Sequence, residues 1–462
     1  MKASYPLLVI GAGPAGMAAA QAAAEQGVEV ALVDEQPRPG GQIYRDAGSG
    51  PLADPELLGK DYAFGRQSIR NFRRSGAAYF PCTAVWYLDR ERNLGVLHHG
   101  AHRRLRAERI IIACGAQERP MPFPGWQLPG VMTAGAAQIL LKSAALVPDE
   151  SPVLAGSGPL LLLLAWQYLR AGIGIRALVD TTPAGSLWPA LRYLPRALLA
   201  GDYLFKGMQL VAAIRRARIP WYRQASELRA DGEERLAGLR FRARGRQHEI
   251  ETRLLLVHQG VIPALQVASA AGCESEWNPY QQCWQAVVDR WGESSEAGIF
   301  VAGDGAAIGG ARAAALAGQL AGLQAARQLG LLEPARRDRL AGPIRKAQLR
   351  HLSLRPFLDR YYRLDEVALQ PDDDTLLCRC EEIGAAQIRA VARLGCSGPN
   401  QAKAFTRCGM GPCQGRFCGS GVEWILARQQ AVGVDRIGRY NSRPPLQPVT
   451  LGQLAISEGE QR

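Results

Sequence analysis

The sequence predicts an α/β chain of two dinucleotide-binding, Rossmann-like units followed by a small helical C-terminal module. Three observations carry this. An apolar strand runs into a glycine turn and an alanine-rich helix at residues 7–26, and a second such unit lies at 153–180. A later apolar strand ends in Gly303-Asp304. With Cys396 set aside, five of the ten cysteines fall between Cys378 and Cys418.

The first unit is complete. Leu7-Leu8-Val9-Ile10 reads as a buried parallel strand. Gly11-Ala12-Gly13-Pro14-Ala15-Gly16 matches G-x-G-x-x-G, the helix runs from Met17 to Gln26, and the second strand, Val28–Val33, ends at Asp34. Gly11 allows the tight turn, Gly13 lets the backbone approach a pyrophosphate, and Gly16 lets the helix pack on the strand. The free N–H groups of the helix start favour phosphate. Asp34, with Glu35 beside it, can accept from ribose hydroxyls.

Further segments extend the pattern. Gly40-Gly41-Gln42 follows the second strand, Ile110–Ala113 runs into Cys114-Gly115, and Gly298–Gly305 carries a strand into Gly-Asp. Together these resemble the FAD fingerprint of glutathione-reductase-like flavoproteins. The resemblance implies FAD contacts at Gly11, Gly13, Pro14, Ala15, Gly16, Asp34, Glu35, Gly41, Gln42, Cys114, Gly115, Gly303 and Asp304. Cys114 also reads simply as a small buried hydrophobe.

The second unit has a defect. Val153–Ala155 leads into Gly156-Ser157-Gly158-Pro159-Leu160-Leu161, and a strand over 175–179 ends at Asp180. Leu161 stands where the third glycine belongs, which forces the helix away or changes the loop. Asp180 disfavours a 2′-phosphate. A retained scaffold, or a pocket for another ligand, is preferred here over NAD. This region holds no C-x-x-C pair, which argues against a disulfide relay. His258 ends an apolar strand and could face a flavin.

The cysteine pattern is Cys378-x-Cys380, then Cys413-x4-Cys418. Four thiolates from two short loops suit a [2Fe–2S] cluster, with zinc as the rival. Glycine-rich loops and the flanking Arg379, Arg407 and Arg416 favour iron, because they offset negative charge. The expected ligands are Cys378, Cys380, Cys413 and Cys418, with Cys408 a spare thiol.

Composition bounds the rest. A chain of 462 residues suggests about three domains of ~150 residues. It is 47% hydrophobic and 21% charged, which excludes a disordered or disulfide-stapled protein. Net charge is +13, with arginine concentrated in 192–223 and 336–355. No nucleic-acid recognition motif accompanies those segments, so they suit solvated faces or an acidic partner. The apolar run Leu160–Trp166 is far short of the ~20 residues of a membrane span. A cytoplasmic chain is expected, peripheral contact at the inner membrane being the alternative.

The C-terminal run Thr406-Arg407-Cys408-Gly409-Met410-Gly411-Pro412-Cys413-Gln414-Gly415 resembles the bacterioferritin-associated-ferredoxin-like (BFD-like) [2Fe–2S] domain. Joined to two dinucleotide units, it resembles the α subunit of bacterial multi-subunit amino-acid dehydrogenases, including hydroxyproline dehydrogenase, opine oxidase and hydrogen cyanide synthase. The resemblance implies a substrate-oxidising β subunit similar to D-amino-acid oxidases, with or without a small third subunit. It implies electron transfer through FAD, or ATP at that site in some relatives, and a [2Fe–2S] cluster. The expected domains are 1–122 with 290–330 for FAD, an inserted 123–289, a basic helical linker 331–374, and the BFD-like module 375–462. A stand-alone NAD(P)H oxidoreductase and a non-catalytic scaffold are the rival classes.

Overall fold

The computed structural model describes residues 1–51, 55–365 and 369–455. Residues 366–368 of the expected linker and the last seven of the C-terminal module lie outside the described residues.

The first sheet is built on Ser4–Ile10, which is flanked in parallel by Val30–Val33 and by the long strand Ala101–Ile112. That long strand serves two purposes. Its end, Ile110–Ile112, pairs in parallel with Ile299–Val301, while its beginning continues an antiparallel meander with Asn93–His98 and Thr83–Leu88. Burial on both faces explains the unbroken apolar runs Leu7–Ile10 and Ile110–Ile112. The helices Pro14–Ala24 and Ala311–Gln328 pack together on one side. Their contact is glycine-mediated: a Cβ at Gly318 would lie 2.0 Å from Ala15 O, and one at Gly322 2.4 Å from Ala19 O.

The second sheet is wholly parallel. Its order is Trp221–Arg223, Ala177–Asp180, Val153–Ser157, Leu255–Gln259, Val131–Thr133. An antiparallel three-stranded sheet over 225–251 covers one face. The two units are joined by a pair of short antiparallel strands, Ala116–Glu118 and Val261–Pro263.

The C-terminal module packs Ala385–Arg393, Pro399–Thr406 and Gly419–Gln429 around a separate core that includes Ile388, Val422 and Ile425. Trp126 Nε1 donates to Leu376 O at 2.7 Å, and Trp277 packs against Trp424, tying the module to the body. The basic segment before it is more than a connection. Helix Pro334–Leu352 stacks Arg337 and Arg345 on the ring of Trp291, at 4.2 and 4.0 Å. Helix Arg355–Tyr361 turns inward against the body.

The stretch Leu194–Arg216 is long and apolar enough to cross a membrane by length and composition. It is nevertheless divided into Leu194–Ala197, a 3₁₀ turn and Gly201–Arg216, and it carries Arg196, Asp202 and Lys206.

Candidate functional site

A cavity of about 990 Å³ lies between the two units and reaches the C-terminal module. That is the upper end of the usual range for ligand sites, which runs to roughly 1,000 Å³. Gly11, Gly13, Pro14, Ala15, Asp34, Glu35, Gly41, Gln42, Cys114, Gly115 and Asp304 all line it. Two candidates do not. A Cβ at Gly16 would stand 1.8 Å from Gly11 O, and one at Gly303 2.7 Å from Ala15 Cβ. These glycines permit close packing behind the cradle.

The cradle fits a nucleotide phosphate. Gly11 has φ +102, and a Cβ there would lie 2.5 Å from Ala113 O. A Cβ on Gly41 would lie 2.8 Å from Gly13 Cα, so the two glycine turns close against each other. The helix Pro14–Ala24 has no side-chain cap and no acid in its first turn, which leaves its N–H groups and dipole for an anion. Lys142, buried beneath, donates to Gln42 O, Ile43 O and Gln138 Oε1 at 3.2, 3.0 and 2.7 Å. Burial pulls its ammonium down to about 7, with Arg45 adding to the effect.

Asp34 is largely committed to the loop. Its Oδ2 accepts from Ala12 N at 2.5 Å and its Oδ1 from Gln36 N at 2.7 Å. Burial raises this carboxyl, and the two backbone bonds oppose the rise. Glu35 is exposed on the cavity wall and accepts a 3.2 Å bond from the Gln36 amide. Asp304 likewise accepts from Gly309 N and Gly310 N, both at 2.8 Å. Cys114 is pushed up to about 12, first by burial and then by Glu35 and Asp34. It behaves as the small apolar group its neighbours suggest.

The second glycine loop faces the same space. Ser157, Gly158, Pro159 and Leu160 line it, opposite Tyr203, Lys206 and Leu210 of helix Gly201–Arg216. Leu161 is buried in the core, and Gly158 takes φ +124 where its counterpart Gly13 has φ −73. The second loop thus departs from the first, as expected where Leu161 replaces the third glycine. His258 is buried, and its Nδ1 lies 2.7 Å from Glu118 Oε2, while Gly135 N donates to Glu118 Oε1. Arg355, Asp359 and Tyr362, from the segment expected to be a linker, complete the wall. No motif marked them, because they enter through the tertiary path of a helix.

The cysteines form an inner and an outer group. The sulfurs of Cys378, Cys408 and Cys418 lie within 4.8 Å of one another, all buried. Cys380 and Cys413 hydrogen-bond to each other, with Cys380 exposed. The expected ligands Cys378 and Cys418 thus lie beside Cys408, the thiol expected to be spare, while the expected ligands Cys380 and Cys413 lie in the outer group. Arg407, at φ +64, caps helix Pro399–Thr406 and turns Cys408 inward, and Tyr440 Oη donates to Cys408 O at 2.9 Å. Cys378 is drawn down to about 2, first by the Cys408 and Cys418 thiols and later by the N–H groups of Gly409 and Glu381. Soft sulfur donors supplemented by backbone N–H groups suit an iron–sulfur centre and also suit zinc. The glycines here make room: a Cβ at Gly411 would lie 2.1 Å from Cys380 Cβ, and at Gly415 2.6 Å from the Tyr440 ring.

A glycine cradle on a doubly wound unit, a second unit facing it and a cysteine module on the rim define a two-dinucleotide-domain oxidoreductase. Residues 5–330 match the pyridine nucleotide-disulphide oxidoreductase family, and residues 375–458 match the sarcosine oxidase A3 domain. The opine oxidase A subunit of Rhizobium meliloti is 43% identical, covering 98% of this chain and 87% of that protein. Hydrogen cyanide synthase subunit HcnB of Pseudomonas protegens is 32% identical over 98% of each. The fold matches L-proline dehydrogenase from P. horikoshii with a TM-score of 0.70, at 19% identity over 98% of this chain and 80% of that one. The chain belongs to the family of opine oxidase A subunits and HcnB.

Proposed function

We propose that this chain is the electron-transferring subunit of a flavin-dependent amino-acid dehydrogenase complex of the opine, hydroxyproline or proline class. One observation carries the reading: a single cavity runs from the first glycine cradle to the cysteine module. FAD would lie along Gly11–Gly16, Glu35 and Gly41-Gln42. Four of the five clustered thiolates would hold a [2Fe–2S] centre, Cys378 and Cys418 among them. When bound, a flavin accepts electrons in pairs and a [2Fe–2S] centre carries them singly. The chain's own residues hold, orient and neutralise these groups.

Oxidation of the amine falls to a partner subunit, since relatives are named as subunits of oxidases and synthases. Trp188, Leu198, Leu199, Phe205 and Met208, on successive short helical elements between Leu187 and Arg216, are 58–78% exposed. A surface of that kind is covered in an assembly, and we assign it to this partner. Ten unpaired cysteines suit a reducing, cytoplasmic setting.

The test is a co-purified complex given octopine, nopaline, hydroxyproline or proline. Substrate should make an iron–sulfur signal appear in electron paramagnetic resonance, since only the one-electron-reduced [2Fe–2S] centre is paramagnetic, and the isolated chain should not turn substrate over. Full turnover by the isolated chain, or zinc in place of iron, overturns the reading. Cys408→Ser and Cys413→Ser, compared by iron content, decide which of the two is a ligand.

A further inference from the structure

We propose that Arg416 is a shared positioning residue whose guanidinium serves the nucleotide cavity while its backbone is part of the cysteine site. The proposal rests on the reading above and adds a specific residue to it.

Arg416 lies between Cys413 and Cys418 on the loop that closes the cluster, and it lines the 990 Å³ cavity. The loop turns sharply at Gln414 and Gly415, with φ +51 and +77, so the side chain after the turn points back toward the body. Two contacts fix the guanidinium: Nη1 donates to Cys413 O at 3.2 Å and Nη2 to Leu446 O at 3.0 Å. The backbone is clamped separately, since Gln117 Nε2 donates to Arg416 O at 2.9 Å. Gln117 sits on the strand joining the two dinucleotide units and lines the cavity too.

The charge is uncommitted. Among the described residues no carboxylate lies within ion-pair distance of Arg416, unlike Arg407, which pairs with Glu381 at 2.9 Å. Its field reaches the first unit, where it favours the ionised form of Cys114. A half-buried guanidinium with spare N–H donors and no counter-charge, facing a cavity, suits an anionic or electron-rich group. Here that group is the end of the nucleotide remote from the Gly11 cradle. The same charge also offsets negative charge gained by the cysteine site on reduction.

Arg379 and Arg407 flank the same cysteines but do not line the cavity. They are the controls. In the full-length protein, Arg416→Gln should weaken binding of added FAD or ATP about tenfold, the value of one charge-assisted hydrogen bond. It should also lower the cluster's midpoint potential. Arg407→Gln should leave nucleotide affinity unchanged. Should Arg416→Gln fold poorly, Arg416→Lys keeps the charge, so the potential should stay near wild type while affinity falls with loss of the planar fork. The proposal is overturned if Arg416→Gln, or Arg416→Lys where only that variant folds, leaves affinity unchanged, or if Arg407→Gln lowers affinity as much. A protein that carries zinc removes the electron-transfer reading, while the affinity measurement still reports on Arg416.

Discussion

The two glycine loops begin alike and end differently. Gly11 and Gly156 both take positive φ, +102 and +131, and both press against the end of a neighbouring strand: a Cβ would meet Ala113 O at 2.5 Å or His258 O at 1.8 Å. The divergence lies five residues on. Gly16 brings its helix onto the Gly11 carbonyl, whereas Leu161 is buried in the core and Gly158 turns the other way. The acids differ too. Asp34 holds the phosphate loop through Ala12 N, while Asp180 accepts from Thr182 N and Trp221 Nε1 and stays within its own unit. Helix Gly201–Arg216 then lies across the second loop. One motif thus makes a cradle in the first unit and a wall in the second.

The largest expected effect is at Gly16. Gly16→Ala places a Cβ 1.8 Å from Gly11 O, a backbone atom that cannot step aside. It should cost more than about 4 kcal/mol in denaturant unfolding and abolish nucleotide retention. Leu161→Ala opens a cavity in the shared core and should cost about 3 kcal/mol, yet leave nucleotide in the first cradle. NADH should fail to bleach flavin absorbance in either the wild type or Leu161→Ala. Bleaching in the latter would show that Leu161 alone separates the loops.

Asp34→Asn should weaken nucleotide binding about tenfold, as expected for loss of a charged hydrogen-bond acceptor in the loop. Asp180→Asn should leave it unchanged by the same titration. The smallest effect concerns pH. Lys142 has a folded value of about 7, below its ordinary 10.5, so the unfolded chain holds more proton between those values. Stability contributed by this site therefore rises with pH from about 7 upward. Lys142→Met should flatten that rise in thermal melts between pH 7 and 9. An equally steep rise in the variant would place its origin elsewhere.

Much of the fold was legible because it rests on local rules. The apolar runs Leu7–Ile10 and Val153–Ala155, each ending in a glycine turn, marked the strands that extend over Ser4–Ile10 and Val153–Ser157. The site was legible where a motif carried it, as with the Gly11 cradle and Gly41. It was not legible at Glu118, Arg355, Asp359 or Tyr362, whose types and spacing carry no signature. His258 was marked only by its place at a strand end, and its partner Glu118 lies 140 residues away in sequence.

The sequence by itself determined the backbone shapes: where glycine alone fits, where an apolar strand must be buried, and which cysteines share a loop. Those follow from sterics and side-chain chemistry within a few residues. Only the tertiary structure brought the Cys408 sulfur within 4.8 Å of those of Cys378 and Cys418. It also decided that the basic segment walls the cavity and that Arg416 lines it. Each of these depends on distant chain segments meeting, and the spacing of residues along a chain does not encode such a meeting.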